Sequence, residues 1–306
     1  MADDSCRIGV DVGGTKIEAI ALDADGRELA RKRVASPSSD YRAMVEAVRR
    51  LVADLEAGLG RTATVGIGTP GALSLATGLI KNANSTVLNG HPFGRDLSQA
   101  LGREVRVQND ANCFALSEAT DGAGAGHAHV FGVILGTGVG GGIVHDRRPW
   151  IGTNSIAGEW GHNEMPSRVE TDLPDIVCYC GRRRCIEAYL SGPALAADHA
   201  RGKAVSIDAQ AIVALARGGD PVAMATMARF CNRLACALAT VVNVIDPDVI
   251  VLGGGLSNID ELYGEVATLL PGHVFSDRCT TPVVRNRHGD SSGVRGAAWL
   301  WPATGS

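Results

Sequence analysis

Three cysteines fall within eight residues in the stretch CYCGRRRCIE (178–187). Two thiols close a disulfide and four ligands wrap a zinc ion, so three ask for a fourth partner. Upstream, GEWGHN ends in His162 and Asn163. His162 with Cys178, Cys180 and Cys185 makes a Cys3His set, one of the closed tetrahedral compositions that zinc prefers. Four protein ligands leave no position for water, so a metal held this way is structural and not a Lewis-acid catalyst. The plainer alternative is free thiols beside an ordinary polar histidine. Arg182, Arg183 and Arg184 fit a solvated turn, and their charge favours thiolate over thiol at neutral pH.

A second chemical signal comes from glycine. DVGGTK (11–16) and GTGVGGG (136–142) each lie between two apolar β-branched runs, and LGGG (252–255) closes a third. Bare backbone amides at such turns can converge on a phosphate. Each alone is more simply a hairpin; together they fit a nucleotide cradle, with a helix start near Ser257 adding its dipole. GTGVGG also satisfies G-x-G-x-x-G. A dinucleotide site needs a helix directly after that turn, and GGIVHD continues as a strand, so that reading fails. No G-x-x-x-x-G-K-[ST] sequence is present.

The third signal is VQNDANC, which puts Asn109 and Asp110 where a strand gives way to a helix. A carboxylate there is either a helix cap or a general base. KNANST (81–86) supplies Asn82 and Asn84, which are common turn residues and also good partners for sugar hydroxyls.

The elements that must position these groups follow from periodicity. RIGVDVGG predicts a strand and turn, and IEAIALDADGRELARKRVAS a strand, an Asp-Gly turn and another strand. Met44, Val45, Val48, Leu51, Val52 and Leu55 recur at helical spacing over 41–58, with Gly58 suiting the end. TVGIGTPG and EVRVQND read as strands, and ANCFALSEAT as a helix. The layout then restarts at HVFGVILGTGVGGGIVHD. A helix over about 220–243, a strand DVIVLGG, a helix SNIDELYGEVATLL, a strand PVVRNR and a last helix SSGVRGAAWLW complete it. Two halves of one layout predict a duplicated α/β fold with a cleft between its lobes.

Composition limits the function. A chain of 306 residues, 45% hydrophobic, is long enough for two well-buried cores. A net charge of −4 gives no electrostatic reason to expect nucleic acid or an anionic membrane as partner. LACALATVVNVI (234–245) is short for a membrane span and reads as a buried helix. The amino terminus lacks the pattern of a secretory leader. Scattered cysteines in apolar segments suit a reducing, cytoplasmic setting, where the 178–185 cluster reads as metal-binding.

DVGGTK, NDAN, GTGVGGG, GEWGH, CYCGRRRCIE and DVIVLGGG occur here in the order found in the ROK family of bacterial sugar kinases. The resemblance covers essentially the whole chain. KNANSTVLNG, AGEWGHN and HGDSSGVRGAAWLWP look most like the manno(fructo)kinase branch. One departure stands out: the family's C-x-C-G-x-x-G-C has Arg184 in place of its second glycine. A residue forced to positive φ there costs roughly 1–2 kcal/mol.

The resemblance implies an actin-like ATPase (ribonuclease H-like) fold, with a first lobe over 1–121 and a second over 122–290. The second carries the zinc-binding loop 159–187, and the terminal helix 291–306 packs back on the first. It implies Asp110 as catalytic base, and Asn84, Asn109, Asp110, Glu159, His162 and Glu187 around the sugar. ATP would lie against Gly13, Gly14, Thr15, Lys16, Gly136, Thr137, Gly138, Gly254 and Gly255. Mg2+ accompanies the nucleotide, with Asp11 available to hold it through water, and Zn2+ is structural. A zinc clip would fix Glu159 and Glu187 on a long irregular segment. The expected activity is phosphorylation of fructose at its 6-hydroxyl, with mannose as a second acceptor, by a cytoplasmic homodimer. N-acetylglucosamine, N-acetylmannosamine or glucose kinases are the alternatives. The family's sugar-responsive repressors carry a DNA-binding module ahead of the DVGGTK motif, for which ten residues leave no room.

Overall fold

The alternating apolar runs form the strands that their period demands, and the glycines decide how closely helices lie on them. The structure, a computed structural model, describes residues 6–83, 85–166, 174–203 and 206–302. Its first elements are β1 (Arg7–Val12), β2 (Lys16–Leu22), β3 (Glu28–Ala35), α1 (Tyr41–Leu59), β4 (Thr64–Thr69), β5 (Ala72–Leu73), β6 (Ile80–Lys81), α2 (Phe93–Leu101), β7 (Val105–Asn109) and α3 (Asp110–Thr120). The layout repeats as β8 (His129–Leu135), β9 (Val139–His145), β10 (Arg148–Pro149), α4 (Glu187–Leu190), α5 (Gly192–Lys203), α6 (Ala209–Arg217), α7 (Pro221–Ile245), β11 (Val249–Gly253), α8 (Glu261–Leu269), β12 (Val283–Arg285) and α9 (Ser292–Trp299).

The duplication is explicit in the sheets. One runs β3-β2-β1-β4-β7 and the other β10-β9-β8-β11-β12, the same order in each half. In the first, β1 pairs antiparallel with β2 and parallel with β4. In the second, β11 pairs parallel with both β8 and β12. By internal packing the chain divides into a first unit of Met1–Gly126, Gly142–Ala157 and Asp290–Ser306, and a second of His127–Gly141 and Gly158–Gly289.

In the first unit, Ile8, Val10, Ile17, Val65 and Ile67 meet Met44, Val48, Leu51 and Val52 of α1 in one buried cluster. Asp40 caps α1 by accepting from the Ala43 N–H. The helix ends one residue beyond Gly58, at Leu59, because Gly60 takes the left-handed conformation with φ 66°. The other face of the sheet carries α9. A Cβ on Gly9 would sit 2.0 Å from the Val294 carbonyl oxygen, and one on Gly66 1.9 Å from that of Ala297. Only glycine permits so close an approach of helix backbone to strand. Gly296 does the same toward α3, with the Cys113 oxygen 1.6 Å from a notional Cβ.

In the second unit, α7 is the central helix, buried from Phe230 to Val242 over most of its faces and packed by α4, α5, α6 and α8. Helix α7 is long and apolar enough, by length and composition, to cross a membrane, at a mean hydropathy of 1.3. Its burial accounts for that composition. The helix expected from Ser257 begins later than its sequence suggests: Gly255–Asn258 forms a single 3-10 turn and α8 starts at Glu261.

Candidate active site

In the first unit, the β1–β2 hairpin turns at Gly13–Thr15 and is closed by Gly13 N–H donating to the Lys16 carbonyl at 3.0 Å. Gly14, Thr15 and Lys16 are exposed, so their backbone is available to a ligand. Lys16 Nζ lies 3.9 Å from Glu18, a buried carboxylate also gripped by Arg31 at 2.5 Å and Arg33 at 2.7 Å.

Asp11 closes the β1 face of this hairpin. Burial pushes its carboxyl up to about 7, and the charges of Asp110 and Glu18 add to the effect while Lys16 opposes it. Asp110 is thus close enough for its charge to act on the Asp11 carboxyl. The Cys113 thiol beside them is fully buried and pushed well above its ordinary value by burial and by Asp11 and Asp110, which makes it inert.

Asp110 is the first residue of α3. The cap of that helix is its neighbour: Asn109 accepts from the Ala111 N–H at 2.8 Å and, more weakly, from Asn112 N–H at 3.4 Å. The Asn109 side-chain amide donates to the Gly71 carbonyl at 2.8 Å. Asn109 therefore orients the helix start, which relieves Asp110 of the capping role. Asp110 is half-buried, and its Oδ1 accepts from the Ala111 N–H at 2.8 Å. Asn84 lies outside the described residues.

In the second unit, two glycine segments come together. Gly136–Gly138 links β8 to β9, and Gly254, with φ 78°, follows β11. A Cβ on Gly254 would lie 2.4 Å from the Leu135 oxygen, so these two turns are adjacent. Thr137 and Gly255 are exposed, while Ser257 is buried and donates to the Gly254 carbonyl at 2.7 Å.

The cysteine loop forms a compact knot in the same unit. His162, Cys178, Cys180 and Cys185 each direct one ligand atom into a common space, all four within 4.8 Å of one another. His162 Nδ1 is 3.7 Å from Cys178 Sγ, and Cys180 Sγ is 3.6 Å from Cys185 Sγ. Zn–S bonds of about 2.3 Å and Zn–N bonds of about 2.0 Å require tetrahedral edges of this size, so the four residues fit zinc. Backbone bonds hold the ligands in register: Cys178 N–H to the Arg182 carbonyl at 2.8 Å, and Ile186 N–H to that of Asn163 at 2.9 Å.

Arg184 does adopt positive φ, 59°, and the ligands converge nonetheless. Its N–H donates to Ile176 and its carbonyl accepts from Met165, each at 2.7 Å, which holds the strained residue in place. The arginine run divides its work. Arg183 pairs with Asp175 and Arg184 lies 3.6 Å from Glu164. The Cys180 thiol is held below its ordinary value: burial works against this, but hydrogen bonds from the Arg182 backbone and the neighbouring thiols, with the Arg182 charge, outweigh it.

Glu159 stands at the start of the 3-10 turn Trp160–His162, exposed to solvent. Glu187, the first residue of α4, is 9% exposed and accepts the Val139 N–H at 2.8 Å. Tyr179 is the residue that motif reasoning passed over. Its hydroxyl is 3.2 Å from His162 Nε2, and burial followed by the charges of Glu187, Cys178, Cys180 and Glu159 pushes it up to about 12. The only signal for it is its position between two cysteine ligands.

Two α/β units of one strand order, each with a glycine hairpin and one with a Cys3His knot, narrow the class sharply. The ROK family profile matches residues 7–304. The N-acetyl-D-glucosamine kinase of Salmonella paratyphi B is 42% identical over 296 residues, covering 95% of this chain and 98% of that protein. Among solved structures, the ROK hexokinase of Thermus thermophilus is 31% identical, with a TM-score of 0.86, and covers 96% of this chain and 97% of its own. The ROK glucokinase of Streptomyces griseus, solved with glucose and AMPPNP, is 31% identical with a TM-score of 0.78, covering 97% and 99%. The chain belongs to the ROK family. It is an ATP-dependent sugar kinase with the two-domain actin-like, ribonuclease H-like α/β fold.

Proposed function

We propose that this kinase transfers the γ-phosphoryl group of ATP to the 6-hydroxyl of a hexose, with N-acetyl-D-glucosamine as the leading acceptor. The observation that supports the reading is Asp110 itself: half-buried at the head of α3, with Asn109 supplying the cap, it is left available beside Asp11 to act as a base. Asp110 takes the proton of the attacking hydroxyl as its oxygen bonds to the γ-phosphorus and the bridging P–O bond to ADP breaks. The transition state is loose, so most of the rate comes from positioning and charge stabilisation. A base of this kind contributes about 10²–10⁴-fold.

Asp11 would hold the Mg2+ that accompanies ATP, through water, and that ion supplies neutralisation of the phosphate charge. Gly13, Gly14, Thr15, Lys16, Gly136, Thr137, Gly138, Gly254 and Gly255 are the proposed nucleotide contacts. Asn84, Asn109, Glu159, His162 and Glu187 are the proposed partners of sugar hydroxyls. Zinc at His162, Cys178, Cys180 and Cys185 would supply structure alone. Were His162 to hold that metal through one ring nitrogen, the other would be left to pair with a neighbour such as the Tyr179 hydroxyl, 3.2 Å from Nε2, or with a sugar oxygen. The family resemblance also supports a homodimer, which sedimentation of the full chain would reveal.

The choice of N-acetyl-D-glucosamine rests on the 42% likeness to kinases of that name over nearly the whole chain. Fructose is the second reading, favoured by KNANSTVLNG and HGDSSGVRGAAWLWP. A coupled assay of ADP release across N-acetylglucosamine, N-acetylmannosamine, glucose, mannose and fructose tests both. The expected result is the highest kcat/KM with N-acetylglucosamine. A highest value with fructose would reverse the order, and absence of sugar-dependent ADP release with all five would reject the hexose kinase.

A further inference from the structure

Glu187 makes a contact that sugar binding does not explain. Its Oε2 accepts the buried N–H of Val139, the residue that ends the glycine turn, at 2.8 Å. The same oxygen lies 2.6 Å from where a Cβ on Gly138 would stand, so the carboxylate occupies the volume a side chain would need. The segment just after Glu187 grips the other end of the turn: Gly192 N–H donates to the Gly136 carbonyl at 2.8 Å. Within the turn, Gly136 N–H donates to the Gly138 carbonyl at 3.0 Å. These bonds take the Gly136 and Val139 amides, and among the described residues none takes those of Thr137 and Gly138, which are placed to meet an anion.

We infer that Glu187 is a positioning residue for the phosphate-binding turn 136–138, and that through this one side chain sugar-side geometry and nucleotide-turn geometry are set together. A buried carboxylate accepting a backbone N–H is a strong orienting bond. It fixes the plane of the Gly138–Val139 peptide, and with it the direction of the two remaining amides. Oε1 stays available to a sugar hydroxyl. Any shift of Glu187 toward or away from the sugar therefore moves the turn. This inference rests on the assignment of the turn to nucleotide.

The test is equilibrium binding of AMPPNP to the full chain without sugar. Glu187→Ala is expected to weaken AMPPNP about tenfold, the loss of one charge-assisted bond. Glu187→Gln, whose amide oxygen still accepts the Val139 N–H, is expected to stay within about twofold of wild type by the same reasoning. Equal AMPPNP affinity in wild type and Glu187→Ala would overturn the inference. A second variant, Gly138→Ala, leaves Glu187 chemically intact but drives a methyl against it. It is expected to weaken N-acetylglucosamine, or whichever sugar the assay ranks first, measured without nucleotide. Unchanged sugar affinity there would overturn the inference even if Glu187→Ala failed to fold. Gly138→Ala also separates the two readings. If it leaves AMPPNP affinity intact, the nucleotide assignment of the turn has failed; if it weakens AMPPNP while Glu187→Ala does not, the coupling has failed.

Discussion

Asp110 and Glu187 are each the first residue of a helix, and they are held by opposite means. Asp110 follows β7, the edge strand of a five-stranded sheet paired along its length with β4, and its helix packs against α9 where Gly296 leaves no room for a side chain. Asn109 supplies the cap. Glu187 heads a helix of four residues that follows a long segment with only a 3-10 turn and isolated bridges among its described residues. Its position depends on the Cys3His knot just before it and on the Val139 N–H. Backbone ladders and close packing are cooperative over tens of residues, so a carboxylate placed by them tolerates local change. A short helix at the end of an irregular loop has little such support. A metal held by the four ligands of the knot would replace it, its binding offsetting the local cost in ordering entropy.

Asp110→Asn attacks the first region at its chemistry and not its scaffold. The amide can still accept the Ala111 N–H, so the thermal midpoint should stay near wild type while kcat falls about 10²–10⁴-fold. A near wild-type turnover in the coupled assay would remove Asp110 from the base role.

The second region should break through its scaffold. Cys185→Ser, or chelation of the wild type, should release Glu187 and lower sugar affinity by about 10–100-fold, the range seen when metal-site support is lost. Calorimetric sugar binding with parallel metal analysis reads this out. Asp110 should be unaffected in kind: the pH dependence of residual turnover should keep its wild-type shape. Metal-free protein with unchanged sugar affinity would detach the knot from the carbohydrate.

Asp11 sharpens the contrast by pH. Its folded value is about 7, above the ordinary 3.8, so the folded state binds the extra proton between those limits. Stability contributed by the protonated carboxyl is therefore present at low pH and lost as pH rises from about 4 to about 7. Asp11→Asn should match wild type near pH 4 and exceed it by roughly 2–4 kcal/mol at pH 8 in the metal-free, nucleotide-free state. Urea titrations at the two values test this, and Mg-ATP should narrow the gap by favouring the ionised wild type. A constant difference across pH would refute it.

The smallest effect is expected at Arg184. Relief of its φ of 59° by Arg184→Gly is worth about 1 kcal/mol, diminished by glycine's greater freedom in the unfolded chain. The thermal midpoint of the zinc-loaded protein should rise by only a degree or two, and metal content should be unchanged. A fall would mean that the Glu164 and backbone contacts of Arg184 matter more than its strain.

Helix and strand existence was legible because hydrophobic period is local, and β1, β4, β7, β8 and β11 fall on the segments that alternation and β-branching select. Ends were less legible. Gly58 and Gly60 are both plausible stops for α1, and only the chain path determines which takes positive φ. Asn109 and Asp110 are both good caps, and which one caps depends on where β7 releases the chain. Ser257 resembles a helix start, but its side chain turns back to Gly254 and delays α8.

By itself the sequence determined the two repeated halves, the glycine hairpins, the candidate base and the membership of the cysteine knot, because each depends on residues near one another in the chain or on a motif carried whole. Tertiary structure alone decided that Gly9, Gly66 and Gly296 are packing glycines, that Asp11 shares its field with Asp110, that Tyr179 meets the knot histidine and that Glu187 holds Val139. Those facts join groups tens to hundreds of residues apart or depend on loop conformation. Separation in space there follows from packing, which no local period encodes.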